Sequence, residues 1–171
     1  MNFDTFFPEP DPELVASKGD SKAVLIHGFE ANQAKNIRDS VTVTMRLNNI
    51  FPVQMWGFAP SQPQYKYSKY YMEPTQDVIR QLYSSADILI QTTRYEARGS
   101  LLAIEAMACG CPVVATECGG TEDLIDGYNC LIAPYRDLDA IYDAAFKILT
   151  DAKLRSELIT NGLSYVHERL N

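Results

Sequence analysis

The sequence predicts an α/β protein, a Rossmann-like open parallel sheet of about six strands with helices on both faces. Two observations carry this. The β-prone segments are continuously apolar instead of alternating, as strands covered on both faces are. They also alternate along the chain with segments whose apolar residues recur at helical spacing.

The elements follow in order. Residues 1–20, MNFDTFFPEPDPELVASKGD, hold three prolines and many acids with no sustained period, and read as a linker or extended lead-in to a domain over 21–171. KAVLIHG (22–28) is a short apolar run ending in glycine and suits a buried strand. AKNIRDSVTVTMRLNN (34–49) brings Ile37, Val41 and Met45, with Val43 and Leu47, toward one side and predicts a helix. FPVQMWGF predicts a second strand and KYSKYYMEP a short third one. TQDVIRQLYSSA (75–86) predicts a helix capped by Thr75, with Val78, Ile79, Leu82 and Tyr83 at helical intervals. DILIQTT is the strand after it. A helix over 100–109, the strand PVVAT (112–116), a turn-helix GGTEDLIDG, the short strand NCLIA and the helix LDAIYDAAFKILT follow, and the amphipathic AKLRSELITNGLSYVHERL closes the series.

Composition bounds the function. A chain of 171 residues fits one domain. The net charge of −7 disfavours nucleic acid, whose affinity comes from clustered Lys and Arg. QYKYSKYY (64–71) interleaves aromatics with Lys66 and Lys69, as a stacking platform would, but reads more simply as a strand edge or loop. There is no apolar run of membrane-spanning length, and the acidic start is unlike the basic flank of a signal peptide, so a cytoplasmic location is expected. Cys109, Cys111, Cys118 and Cys130 lack paired zinc-knuckle spacing and are expected as reduced thiols. The DLD at 137–139 suits a helix start better than a metal site, and His27 and His167 lack an acid or nucleophile at telling spacing. No metal site is expected.

In an open parallel sheet a ligand binds beyond the carboxyl ends of the strands. Two loops there have suitable chemistry. In TTRYEARGSLL, Gly99 allows close backbone approach and Ser100 is a candidate cap; in ATECGGTEDL, Gly119 and Gly120 stand beside a predicted helix start. Helix N-termini with free amides attract phosphate. Glu105 is the one acid in the apolar run 101–109, and a buried carboxylate calls for a partner.

The run RYEARGSLLAIEAMACGCPVVATECGGTEDLIDGYNCLIAPYRDLDAI resembles the C-terminal, donor-binding half of group 1 glycosyltransferases of GT-B fold, a retaining, sugar-nucleotide-dependent group. EAMACGCPVVAT (105–116), GGTED and GYNCLIAP carry the likeness, which spans most of 70–150. The resemblance implies that Glu105 binds the ribose hydroxyls of a nucleoside-diphosphate-sugar. Lys35, Arg98, Gly99, Ser100 and Leu101 would face the diphosphate, and Gly119, Gly120 and Thr121 would form a donor loop. The family's first acid lies eight positions before its second, where this chain has Ala97. Glu96 is the candidate catalytic acid, reaching the donor sugar if EARGS carries a one-residue insertion relative to the family's EGFG. Glu30 stands where the family has an arginine, and Asp123 where it has a glutamate. NFDTFFP resembles the family's interdomain linker, which implies that the acceptor domain is absent and that this chain alone is inactive. The implied activity is a metal-independent, hexosyltransferase-like transfer. The alternative is a non-catalytic sugar-nucleotide or anion-binding module that docks on a separate acceptor subunit.

Overall fold

A computed structural model describes residues 5–29, 32–95, 100–119 and 122–170. All strands of the sheet run parallel: β1 (Lys22–His27), β2 (Val53–Ala59), β3 (Lys69–Met72), β4 (Ile88–Gln91), β5 (Val113–Thr116) and β6 (Leu131–Ala133), in the order β3-β2-β1-β4-β5-β6. The helices are α1 (Pro12–Lys18), α2 (Ile37–Leu47), α3 (Gln76–Ser85), α4 (Leu101–Ala108), α5 (Leu138–Thr150) and α6 (Ala152–Leu170). The order doubles back at β1 and β4. Side chains alternate across the sheet, so Ala23 and Leu25 enter one core with Trp56, Tyr83, Ala103 and Val113. Val24 and Ile26 enter the other, with Val41, Leu47, Ile90, Ile141 and Ile148. Both faces of β1 are therefore buried, which is why its sequence is apolar throughout.

The lead-in is more ordered than its composition suggests. Asp11 accepts from the Leu14 amide and Pro12 takes the first helical position, so α1 forms within a proline-rich stretch. The residues before it lie strapped along α3. Arg80 pairs with Glu9 and donates to the Thr5 carbonyl, while the Ser84 and Ser85 hydroxyls accept from the amides of Glu9 and Asp11. Phe6 packs edge-on against Tyr83 with ring centroids 6.4 Å apart.

Other expectations needed correction. The helix predicted from residue 34 begins at Ile37, because Asn36 takes a left-handed conformation (φ 47°) between a 3-10 turn, Gln33–Lys35, and α2. Met45 points outward, 64% exposed, while Ile37, Val41, Val43 and Leu47 are buried. No helix forms over the described residues 122–130. The side chain of buried Asn129 accepts from the Ile125 amide and donates to the Asp123 carbonyl, organising turns in place of a helical ladder. In the aromatic stretch, Tyr67 and Tyr70 lie over Gly28 and Gly57, and a Cβ on Gly57 would sit 2.5 Å from the Tyr67 ring. These rings pack inward and form no stacking platform.

At the amino ends of the strands, Asp87 ties three elements together. It accepts from the Ala23 amide at 2.8 Å and pairs with Lys18 of α1 and Arg155 of α6. Burial opposes its ionisation, but the Ala23 amide and the two cations prevail and hold its carboxyl below the ordinary range.

Candidate functional site

Beyond the carboxyl ends of β1 and β4, where the strand order reverses, the chain leaves for α2 on one face of the sheet and α4 on the other, the arrangement that makes a ligand crevice in open parallel sheets. Hydrogen bonds lace these loops together. The Arg94 amide donates to the Ala34 carbonyl at 2.7 Å, and the Thr92 hydroxyl donates to the Asn36 carbonyl at 2.8 Å. Ser40 and Thr92 hydroxyls lie 2.7 Å apart, and the Thr116 hydroxyl donates to the Thr93 carbonyl. Such short polar side chains replace the strand ladder where it ends, satisfying backbone groups that would otherwise be orphaned.

Lys35 is carried by the 3-10 turn, which Asn32 caps by accepting from the Ala34 amide. It lines one pocket with His27, Gln91, Thr92, Thr93 and Leu102. His27 closes β1, its ring edge-on to Phe58 at 5.1 Å, and its Nδ1 is buried with no hydrogen-bond partner among the described residues. Burial, reinforced by the Lys35 charge, lowers its pKa to about 4, so the imidazole is neutral at pH 7. Sequence patterns had marked His27 only as structural or surface; its place beside Lys35 at the crevice comes from the topology.

The helix α4 begins at the same crevice. Ser100 occupies the position before it, but its hydroxyl does not cap the helix; it donates to Gln91 Oε1 at 3.2 Å, tying α4 to the end of β4. Ser100 thereby gives the first amides of α4 no side-chain cap, and Leu101 is 39% exposed. Leu101, Leu102 and Glu105 are the α4 positions that are not buried. Leu101 and Glu105, one turn apart, share a side of the helix. Tyr83 of α3 donates its hydroxyl to Glu105 Oε2 at 3.3 Å. Burial raises the Glu105 pKa to about 7 despite the opposing pull of that hydrogen bond. Glu105 is therefore poised near neutrality on a helix that opens at the crevice.

Gly119 forms a bridge with Tyr95, which brings the loops after β4 and β5 side by side, and a Cβ on Gly119 would meet the Tyr95 ring at 3.5 Å. Glu30, Glu96, Ala97, Arg98, Gly99, Gly120 and Thr121 lie outside the described residues. Asp123 accepts from the Tyr165 hydroxyl at 2.7 Å and so fastens its loop to α6. Asp137 caps α5 through the Ala140 amide, as its place before a helix implies. No disulfide joins the four cysteines, three of which are buried, and burial pushes the Cys109 thiol up to about 12. No helix among the described residues is long and apolar enough to cross a membrane. Sequence patterns missed Tyr83 and Gln91, whose neighbours across the fold no local spacing announces.

Known proteins share this architecture. Over its whole length the chain superposes on sucrose-phosphate synthase of Thermosynechococcus elongatus with a TM-score of 0.81 and 25% identity, covering 47% of that chain. It matches equally well, at 18% identity, the C-terminal domain of a group 1 glycosyl transferase of Francisella tularensis, covering 98% of that structure. HepE of Anabaena, solved in complex with UDP-glucose, gives a TM-score of 0.80 at 15% identity, with 52% of its chain covered. Among curated sequences, an uncharacterized glycosyltransferase of Methanocaldococcus jannaschii is 32% identical over 90 residues, 52% of this chain and 25% of its own length. N-acetyl-alpha-D-glucosaminyl L-malate synthase of Bacillus anthracis is 30% identical over 98 residues, again 25% of its length. The chain thus spans about a quarter of these curated relatives. The family model described as glycosyl transferases group 1 matches residues 12–151, and with that match over most of its length the chain belongs to this family.

Proposed function

We propose that this chain is the sugar-nucleotide-binding half of a retaining glycosyltransferase, which moves a sugar from a nucleoside-diphosphate-sugar to an acceptor held by a domain outside the chain. The observation that carries the reading is Glu105: a half-buried acid, raised to a pKa of about 7, one turn inside a helix that Ser100 leaves uncapped at the switch-point crevice. Its carboxylate would receive the ribose hydroxyls. The α4 amides from Leu101 onward and the Lys35 ammonium would take the diphosphate, since a helix N-terminus and a nearby cation offer positive potential without metal. The same positive charge would stabilise the departing nucleoside diphosphate as the glycosidic bond breaks. Arg98, Gly99, Gly120 and Thr121 would complete the cradle, and Glu96 would approach the sugar. HepE, solved with UDP-glucose, is a precedent for this ligand class on the same fold.

A second reading, a binding module without catalysis, is favoured by Ala97 and Glu30, which stand where the family has an acid and an arginine.

Calorimetry with UDP, GDP and ADP in EDTA tests the binding site. At least one should bind, and Glu105→Gln should weaken it about tenfold or more, the loss expected for a charge-assisted hydrogen bond of ~1.5–3 kcal/mol. Binding that requires added Mg²⁺, or is indifferent to Glu105→Gln, would defeat this assignment. Transfer by the chain alone is expected to be negligible, and transfer restored by an acceptor domain added in trans would separate the enzyme from the module.

A further inference from the structure

We propose that Tyr83 is the positioning residue of this site, its buried hydroxyl holding Oε2 of Glu105 so that the other carboxylate oxygen is aimed at the hydroxyls of the nucleotide ribose. The inference rests on the proposed role of Glu105 and adds to it a residue from a different helix.

Tyr83 is fully buried, and its ring is fixed on two sides, by Phe6 at 6.4 Å and by Phe58 at 5.8 Å, both edge-on. A phenol so held has little freedom to turn its hydroxyl elsewhere, and burying that hydroxyl unpaired would be costly. Its one hydrogen bond among the described residues goes to Glu105. A glutamate has three side-chain torsions to lose before it can present a carboxylate in one orientation. A fixed donor on one oxygen removes that freedom before the ligand arrives, which is how preorganisation raises affinity. The hydroxyl also favours the ionised carboxylate over the neutral acid, in opposition to burial. A charged acceptor bonds a diol more strongly than a neutral carboxyl does.

Among the described residues, the surroundings leave Tyr83 as the group that acts on Glu105 directly. The thiol of Cys109, one turn along α4, and that of Cys111 are both pushed up by burial and stay uncharged at neutral pH. Arg80, on the same helix as Tyr83, is engaged by Glu9 and Asp77. The long helix α6 packs on another side of α4, where Gly162 lies against Met107. Because Phe6 lies in the strap before α1, the ring that orients Glu105 is itself set by that strap.

The experiment compares wild type, Tyr83→Phe, Glu105→Gln and the double variant. Tyr83→Phe keeps the ring and removes only the hydroxyl. Titration of ¹³C-labelled glutamate side chains reads Glu105 without any ligand, its signal assigned by its loss in Glu105→Gln. Its midpoint should move up from about 7 in Tyr83→Phe, by ~0.5 units or more if the hydrogen bond is of ordinary strength. Calorimetry with UDP, GDP and ADP, each against its 2′-deoxy counterpart, supplies the second readout. At pH 6.5 Tyr83→Phe should lose much of the preference for the ribose form, and raising the pH to 9 should restore part of it. A merely structural role would weaken binding equally at both pH values. In the Glu105→Gln background, Tyr83→Phe should add no further loss of affinity. An unmoved Glu105 midpoint, or equal losses with and without Glu105, overturns the role of Tyr83. Unchanged binding in Glu105→Gln alone overturns the proposed function instead.

Discussion

Glu105 and His27 pull the pH dependence of stability in opposite directions. The folded pKa of Glu105 is raised to about 7 from 4.5, so from pH 4.5 to 7 the folded chain holds a proton that the unfolded chain has lost. Stability falls with rising pH across that window. The folded pKa of His27 is lowered to about 4 from 6.5, so between those values the unfolded chain holds the extra proton and stability rises with pH. Each slope is at most ~1.4 kcal/mol per pH unit, and where the windows overlap they offset one another. Wild-type stability should therefore be nearly flat between about pH 4.5 and 6.5 in urea unfolding. Glu105→Gln should uncover a rise with pH over that range, and a profile as flat as wild type would show that neither group carries the assigned shift. The oddity of Glu105 was legible in the sequence, because an acid in an apolar run between Leu101 and Cys109 demands a partner. Its protein partner was not, because Tyr83 is 22 residues away on another helix and looks in sequence like one more apolar position.

Parallel strands were the most readable elements, since burial on both faces leaves an unbroken apolar run such as AVLI in β1. Segments governed by a single side-chain hydrogen bond were the least. The cap at Asp11 makes a helix out of a proline-rich lead-in, and Asn129 makes turns out of a stretch with helical composition. Both effects depend on where one oxygen or amide lies, which periodicity does not report. Asn129→Ala should accordingly remove two hydrogen bonds and leave the Ile125 amide and the Asp123 carbonyl to find others. A loss of ~1–3 kcal/mol is expected in urea unfolding, with faster proteolysis in the 122–130 loop. If Asn129→Ala is neutral in both measurements, the loop is held by something other than this side chain. The crevice itself was legible as a consequence of strand order, but the masking of the Ser100 hydroxyl by Gln91 was not, and the cap expected of Ser100 is absent for that reason.

Across the whole molecule the two ends of the sheet do different work. Loops and a helix start occupy the carboxyl end, while at the amino end Asp87 binds α1, β1 and α6 to one carboxylate. Its lowered folded pKa means that it contributes stability above the unfolded value, lost as acid protonates it. Asp87→Asn should cost on the order of 2–3 kcal/mol near neutral pH, less than a fully buried pair would, by leaving the partly buried Lys18 and Arg155 without their counter-charge. Nucleotide affinity, measured where the variant remains folded, should be unchanged; a parallel fall in affinity would mean that the two ends are coupled. The separation makes the domain a candidate for transplantation. Loops from a relative of established nucleotide preference could replace those after β1, β4 and β5 without touching the clasp at the far end. Such a chimera would inherit its cohesion from Asp87 and its selectivity from the graft.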